Sequence, residues 1–245
     1  MRNIKLVIQY DGSRYKGFQV QKDNDLTVQG KIEAVLSKMS GENITIIGCE
    51  RTDVGVHAEN YVANFQTECE LSEKMMLDYL YEFLPEDIVV KSVEEVGERF
   101  HARYNVKSKT YRYTINNKPI RNVFERKYVY HLEEALDIEN MRQAAEVLMG
   151  THDYQSFTSL KANGKSTVRT INLIDIETKD GMVIIEVNAN DFLWHMPRLI
   201  IGALLEVGLG EKSVEDLSRR LEACKKPEFE MMAKAKGLCL QEVYY

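Results

Sequence analysis

The sequence predicts an α+β fold made of two ferredoxin-like (RRM-like) α/β lobes with mostly antiparallel sheets. Residues 1–104 alternate strand-like and helix-like segments in the order β-α-β-β-α-β, the split motif of that fold. Residues 105–245 nearly repeat this order, although the two halves do not look alike residue by residue. No segment rich in Pro and Gly separates the halves. We therefore expect lobes at 1–104 and 105–245 in one rigid body, with a cleft between them where a large substrate would bind.

The first half opens with a strand in which apolar and polar residues alternate. Ile4, Leu6 and Ile8 fall on one face of the segment 3–10. The predicted elements that follow are a helix at 27–39 capped by Thr27, strands at 43–49 and 61–66, a helix at 73–84 ended by Pro85, and a strand at 88–96.

The second half opens with a strand at 107–115. Tyr111 and Tyr113 share one face of it, because side chains on a strand alternate with a period of two. The predicted elements that follow are a strand at 127–131, a helix at 138–149, strands at 168–178 and 182–190, helices at about 194–207 and 213–223, and a strand at 238–244.

The composition is that of an ordinary globular protein. Hydrophobic residues make up 44% of the 245 positions, and no stretch approaches the roughly 18 to 20 apolar residues that a membrane helix needs. The N-terminal residues alternate like a strand, unlike a signal peptide. The four cysteines share no CxxC spacing, so they indicate neither a zinc site nor a disulfide scaffold. We expect a cytoplasmic protein without a membrane association.

Basic residues are concentrated in one part of an acidic chain. The whole chain carries a formal net charge of −6, yet residues 99–127 carry +8 and residues 158–170 carry +3, which leaves −17 elsewhere. The cations are Arg99, Arg103, Lys107, Lys109, Arg112, Lys118, Arg121, Arg126, Lys127, Lys161, Lys165 and Arg169. Such segregation fits a polyanion-binding face, and it also fits a solvated charge run. Aromatic residues within 99–127 favour nucleic acid, because bases stack on rings. They are Phe100, Tyr104, Tyr111, Tyr113 and Phe124.

The densest cluster of chemically distinctive residues lies at 48–58, in a loop between two predicted strands. Arg51 stands two residues before Asp53, close enough to keep the carboxylate ionised, as a nucleophile requires. Gly55, two residues after Asp53, gives the backbone freedom there. A surface hairpin with a local ion pair would have the same pattern, so the residues of this loop leave both interpretations open.

Eight ordered segments of the chain, spread along nearly its whole length, resemble the TruA family of tRNA pseudouridine synthases. The segments are YDGSRYKGFQVQ at 10–21, TVQG at 27–30, RTDVGVHA at 51–58, FHAR at 100–103, KTYRY at 109–113, GTHDYQSF at 150–157, FLWHMPR at 192–198 with VGLG at 207–210, and GLCL at 237–240 with Val243 and Tyr245.

The resemblance implies a reaction and roles for individual residues. The reaction isomerises uridine to pseudouridine at positions 38–40 of the tRNA anticodon stem-loop, on a flipped base in the cleft between the lobes. Asp53 in the N-terminal lobe would be the nucleophile, at C6 of the base or C1′ of the sugar. Tyr111 would stack on the base and Arg198 would pair with Asp53. The residues implied in substrate binding are Arg51, His57, His101, Arg103 and Tyr111, with a structural hydrogen bond the favoured role for His57. The resemblance also implies a homodimer and a reaction without a metal or other cofactor.

The sequence departs from the family pattern at three positions. Glu50 stands where the family usually has Gly, Pro197 where it has Val, and Lys234 where it has Pro. Pro is tolerated in a first helical turn, so the helix is expected to begin at about 194–196. None of the departures removes a functional group, but together they suggest a paralogue whose RNA target differs.

Three other functions are alternatives to a tRNA-modifying enzyme. One is a paralogue that acts on another structured RNA, and a second is an RNA-binding or chaperone protein without catalysis. The presence of Asp53, Tyr111 and Arg198 argues against the second. The third is a phosphohydrolase that uses Asp53, which would need a further carboxylate or metal ligand nearby. Beyond Glu50 and Glu59 the sequence shows no such cluster.

Overall fold

The chain divides into two compact units. The computed structural model describes residues 1–22, 26–160, 164–225 and 231–245. One unit comprises Met1–Lys107 with Cys239–Tyr245, and the other comprises Ser108–Leu238. Of the basic residues noted above, Lys161 lies outside the described residues. The predicted α+β class with mostly antiparallel sheets is confirmed.

The first unit contains the predicted β-α-β-β-α-β order and one additional strand. Its elements are β1 (Arg2–Tyr10), α1 (Val28–Ser40), β2 (Ile47–Gly48), β3 (His57–Thr67), α2 (Glu73–Phe83), β4 (Ile88–Val96) and, at the end of the chain, β10 (Leu238–Tyr244). The strands lie in the order β4-β1-β3-β10, and β2 pairs with β3. β1 is antiparallel to both of its neighbours, whereas β10 is parallel to β3.

The sequence patterns explain the first elements of this unit. Ile4, Leu6 and Ile8 of β1 are completely buried, as the alternation predicts. Thr27 caps α1, since its side chain accepts a hydrogen bond from the backbone N–H of Gly30 at 3.2 Å. α2 packs against β4 and α1. The alternation predicted for β1 and the cap predicted at Thr27 are therefore confirmed.

Two strand boundaries in the first unit were wrong. β2 is only two residues long, although a strand at 43–49 was predicted. The backbone N–H groups of Ile44 and Ile46 donate to side chains of α1, to Ser37 Oγ at 3.0 Å and to Glu33 Oε1 at 2.9 Å, so they do not take part in a strand ladder. β3 begins at His57 instead of Tyr61 because its first residues pair with β10.

The described residues of the second unit form a sheet and three α-helices. Its elements are β5 (Ser108–Asn116), β6 (Tyr130–His131), α3 (Ile138–Leu148), β7 (Gly150–Asp153), β8 (Val168–Lys179), β9 (Met182–Ala189), α4 (Met196–Gly208) and α5 (Val214–Ala223). The strands lie in the order β5-β9-β8-β7 with antiparallel neighbours, and β6 runs parallel to the end of β5. β6 is shorter than the predicted 127–131, and the four-residue β7 was not predicted.

Helix α4 is the most buried helix described in this unit. Eleven of its 13 residues are buried, so it packs on nearly all sides. It begins at Met196 with Pro197 in its first turn, which confirms the predicted start. His195 precedes it with a left-handed φ of 64°. Within the described part of the chain, no helix is both long and apolar enough to span a membrane.

The last strand of the chain belongs to the sheet of the first unit. In β10, Cys239 lies opposite His57 and Leu240 opposite Ala58 in β3. The hydroxyl of Tyr245 donates to the carbonyl oxygen of Ala102 at 2.6 Å. The end of the chain therefore supports both the start of β3 and the segment around Ala102.

Candidate active site

Asp53 lies in the loop between β2 and β3, at the first position of a tight turn. The backbone N–H of Val56 donates to the Asp53 carbonyl oxygen at 3.1 Å. Gly55 has φ of 78° and Val54 has a negative φ, which is the pattern of a type II turn. Asp53 is half-buried, while Arg51 and Val54 are exposed. The turn thus holds the carboxylate on a fixed backbone with partial access to solvent.

Three aromatic side chains lie beneath this loop and bind it. Phe18 stacks on Tyr61 with 4.2 Å between ring centroids, and Tyr10 lies 5.7 Å from Tyr61. The Tyr61 hydroxyl donates to the carbonyl oxygen of Glu50, and the Tyr10 hydroxyl lies 2.7 Å from Thr52 Oγ1. Burial raises the pKa of both phenols well above the usual value, so both stay protonated. The residues directly before Asp53 are therefore fixed by buried hydrogen bonds.

The segment at 10–18, which follows β1, packs against the same loop. The backbone N–H of Phe18 donates to the Thr52 carbonyl oxygen at 3.1 Å. A Cβ on Gly12 would lie 1.9 Å from the carbonyl oxygen of Val56, so only glycine fits there. The segment at 10–18 and the segment at 51–58 are thus two halves of one packed structure.

Replacing Tyr61 with phenylalanine tests the support beneath the loop. Tyr61→Phe keeps the ring stacked on Phe18 but removes the donor to the part-buried carbonyl of Glu50, which costs about 1–2 kcal/mol. We expect a lower thermal midpoint and a lower rate of catalysis. The control is Tyr81→Phe on α2, where the side chain is 75% exposed. Equal thermal midpoints for the two variants would contradict the supporting role of the Tyr61 hydroxyl.

His57 is buried at the start of β3 and contacts the loop after β1. It is 4% exposed, and its Nδ1 lies 3.1 Å from the backbone nitrogen of Gly12 and 3.3 Å from Asp11 Oδ1. The shorter contact has an N–H donor, so Nδ1 is the acceptor in it. This geometry favours a structural role for His57 over a contact with substrate.

His101 and Arg103 lie in another segment of the first unit, between β4 and β5. The backbone N–H of Ala102 donates to Asn64 Oδ1 at 2.8 Å, and Asn64 in turn donates to Asn3 Oδ1 at 2.9 Å. These buried amides fix Ala102 from below. Arg103 is exposed and His101 is half-exposed, so both are accessible from solvent.

In the second unit, Tyr111 lies on β5 opposite Val187 of β9. Its ring meets the edge of Phe192 at 5.1 Å and an interplanar angle of 83°, and only 4% of Tyr111 is exposed. Tyr113 lies two residues further on the same face and donates from its hydroxyl to the Lys234 carbonyl oxygen at 3.1 Å. The shared face predicted for the two tyrosines therefore lies against the segments around Phe192 and Lys234.

Arg198 lies in the first turn of α4 and is held by the segment before β10. Its Nε donates to the carbonyl oxygen of Ala233 at 2.8 Å, and its own carbonyl oxygen accepts from the Ala233 N–H at 3.0 Å. Burial raises the pKa of Tyr113, and the Arg198 guanidinium opposes that rise, which places its charge near β5. The second unit therefore brings Arg198 and the β5 tyrosines into one region.

Three of the cations counted as polyanion-binding form ion pairs inside the second unit, namely Lys109, Arg112 and Arg169. Lys109 is 3% exposed and its Nζ lies 2.6 Å from Asp191 Oδ1. Arg112 donates from Nε to Glu186 Oε1 at 2.8 Å. For Lys109 the polyanion-binding interpretation was wrong, because its buried ammonium pairs with an acid 82 residues further along the chain. The Arg112 and Arg169 side chains are 42% and 20% exposed, so for them the interpretation stays a prediction. The exposed cations of the run are Arg99, Arg103, Lys107, Lys118, Arg121, Arg126 and Lys127.

Sequence reasoning missed three residues that support the candidate site. Asp191 lies 82 residues from the Lys109 ammonium that it holds, and Tyr61 lies in the next strand, 11 residues after Glu50. Tyr10 was quoted only as part of a motif, and no local pattern marks any of these contacts. Among the described residues, no group of three or more His, Cys, Asp or Glu side chains is arranged to hold a metal ion.

Comparison with known proteins places the chain in a class of RNA-modifying isomerases. A family model described as tRNA pseudouridine synthase matches residues 6–105 and 144–245, which is more than half of the chain. The chain therefore belongs to the tRNA pseudouridine synthase family, and the TruA resemblance is confirmed.

Three relatives match over essentially their whole length. The protein named tRNA pseudouridine synthase A 1 of Clostridium tetani is 57% identical, with 100% of both chains covered. That named tRNA pseudouridine synthase A 2 of Bacillus cereus is 48% identical, again with 100% of both chains covered. That named tRNA pseudouridine synthase A 2 of Clostridium tetani is 42% identical, with 100% of this chain and 99% of the relative covered.

Proposed function

We propose that the protein isomerises uridine to pseudouridine in tRNA, at positions 38–40 of the anticodon stem-loop. The reaction breaks the N1–C1′ bond, rotates the detached base and joins C5 to C1′. The proton leaves C5 and N1 gains one, so no redox partner is needed. The observation that carries the proposal is the full-length similarity to relatives named tRNA pseudouridine synthase A. The buried support beneath the Asp53 loop adds to it.

The proposed nucleophile is Asp53, attacking C6 of the base or C1′ of the sugar. Its position in a tight turn supports this role, because a preorganised nucleophile loses little freedom when it reacts. We propose that Tyr111 stacks on the target base and that Arg198 keeps Asp53 ionised. Arg51 is exposed and would fill the space left by the flipped base.

Binding of the RNA backbone is assigned to exposed cations. His101 and Arg103 would contact phosphate or sugar, together with the exposed members of the 99–127 run. Each phosphate that a cation neutralises releases counterions, so the affinity should fall steeply as salt is added. By analogy with the family we propose a homodimer, and a tRNA substrate implies the cytoplasm.

The test is release of tritium from C5-labelled uridine in tRNA transcripts. Wild-type protein should release tritium from a transcript that has uridines at positions 38–40. A matched transcript with cytidine at those positions, and compensating changes in the stem, should release none. Release from both transcripts would contradict the proposed position, and release from neither would contradict the proposed tRNA reaction.

A paralogue that acts on another structured RNA is the second candidate. The two relatives from Clostridium tetani, 57% and 42% identical to this chain, support this candidate, because one organism has two proteins with such names. Of the three departures from the family pattern, Glu50 lies nearest in the sequence to Asp53, three residues before it. If neither tRNA transcript releases tritium, a mixture of labelled cellular RNA fractions would distinguish this candidate from an inactive protein.

A further inference from the structure

Tyr104, one of the five aromatic residues of the 99–127 run, forms an exposed ring stack with His101. Its side chain is 78% exposed, although the segment around it is fixed by hydrogen bonds. The ring stacks on that of His101, with 4.1 Å between centroids and 27° between planes. With one face on His101 and most of its surface in solvent, the ring offers a flat apolar surface to a partner.

The stack is held rigidly by its own backbone. His101 Nδ1 accepts hydrogen bonds from the backbone N–H groups of Arg103 and Tyr104, both at 3.2 Å. The backbone N–H of His101 donates to Asn105 Oδ1 at 2.6 Å, and the Asn105 N–H donates back to the His101 carbonyl oxygen at 3.1 Å. Ala102, which lies between His101 and Tyr104 in the sequence, is completely buried. A ring positioned in this way loses little conformational entropy when it binds.

Three exposed cations lie in the same segment of the chain as this stack, and one of them, Lys107, donates from Nζ to the backbone oxygen of Tyr245 at 3.1 Å. Arg99, Arg103 and Lys107 are exposed, and no acid lies within residues 99–107, although Glu98 directly precedes them. In the part of the chain that the structure describes, the Arg103 guanidinium has no hydrogen bond or ion pair. Nδ1 of His101 is an acceptor, so its neutral ring carries the proton on Nε2. Cations beside an exposed ring are the features that bind single-stranded nucleic acid, where phosphates meet charge and bases meet rings.

We propose that Tyr104 is a stacking platform for one unpaired base of the bound RNA, with Arg103 on a phosphate beside it. The inference rests on the proposed function for the presence of RNA, and it assigns a base contact to one particular ring of the 99–127 run. A base fits better than a protein partner, because the exposed residues within 99–107 are one aromatic ring, three cations and Asn105, without an exposed aliphatic side chain.

The experiment compares Tyr104→Leu with Tyr104→Phe in the full-length protein. The probes are a fluorescent tRNA transcript and heparin, a polyanion without bases. Stacking of one base is worth about 1–3 kcal/mol, so Tyr104→Leu should weaken tRNA binding roughly 5- to 150-fold, and Tyr104→Phe should stay within about threefold of wild type. Heparin binding should not change in either variant. Tyr81→Leu, at a side chain of similar exposure on α2, is the matched control and should bind tRNA normally.

Each other outcome argues against the platform. Wild-type tRNA affinity in Tyr104→Leu would overturn it. An equal loss in the Leu and Phe variants would assign the effect to the hydroxyl, and a parallel loss of heparin binding would make it a charge or folding effect. The proposed function fails separately, because tritium release is measured on wild-type protein. A protein that binds tRNA through Tyr104 but releases no tritium would keep the platform and lose the reaction.

Discussion

Asp53→Asn is expected to abolish tritium release while tRNA binding persists. The substitution keeps the shape of the side chain but removes the carboxylate that would attack the nucleotide. We expect the rate constant to fall by at least about 10³-fold, as it does when an enzyme loses its nucleophile. The fold should survive, because the backbone carbonyl of Asp53 accepts the turn hydrogen bond and Thr52 is held by Tyr10. Single-turnover tritium release and tRNA affinity, measured on the same preparation, check this expectation.

A neighbouring acid in the same loop supplies the control for charge. Glu50→Gln also removes one negative charge, three residues before Asp53, and should keep the rate within about threefold of wild type. If both variants lost activity equally, the loop would need its net charge instead of a nucleophile. If Asp53→Asn lost tRNA binding together with activity, Asp53 would be a structural residue of the turn.

The sequence predicted those parts of the fold that local periodicity determines. The alternation of β1 is visible within 9 residues, and the apolar stripe of α1, which includes Val28, Ile32 and Leu36, within 13. Both elements occur where they were expected. The loop that carries Asp53 was also predicted, because it follows and precedes apolar segments. The bounds of β2 and the existence of β7 were not predicted. These strands have two and four residues, which are too few to show a period.

Tertiary pairing explains what the sequence could not reveal about the candidate site. Lys109 was counted as polyanion-binding because it lies within the basic run 99–127. Only the folded chain brings it to Asp191, 82 residues away. Likewise, the Tyr61 hydroxyl that holds the loop before Asp53 comes from the strand after it. Residues that act through such contacts carry no local signal, whereas motif residues that touch substrate stand out within a few positions.

Asp191→Ala is expected to cause the largest loss of stability among these substitutions. Asp191 accepts from the buried Lys109 ammonium at 2.6 Å and lies 3.3 Å from Arg169 Nε. Removing the partner of a buried charge costs about 3–5 kcal/mol, and we expect about 2–3 kcal/mol because Asp191 is half-exposed. For a protein of this size the thermal midpoint should fall by roughly 5–10 °C. Catalysis should slow as well, because Phe192, the next residue, packs on Tyr111.

A second variant separates the buried charge from the packing around it. Combining Asp191→Ala with Lys109→Met removes both charges, so the double variant should recover much of the lost stability, since no buried ammonium has to be accommodated. The exposed pair of Lys74 and Asp78 on α2 provides the control, and Asp78→Ala should change stability by less than about 0.5 kcal/mol. If the double variant were less stable than Asp191→Ala, Lys109 would contribute through its packing and not through its charge. If the double variant recovered stability but not activity, the ion pair would act in catalysis by positioning Phe192 against Tyr111.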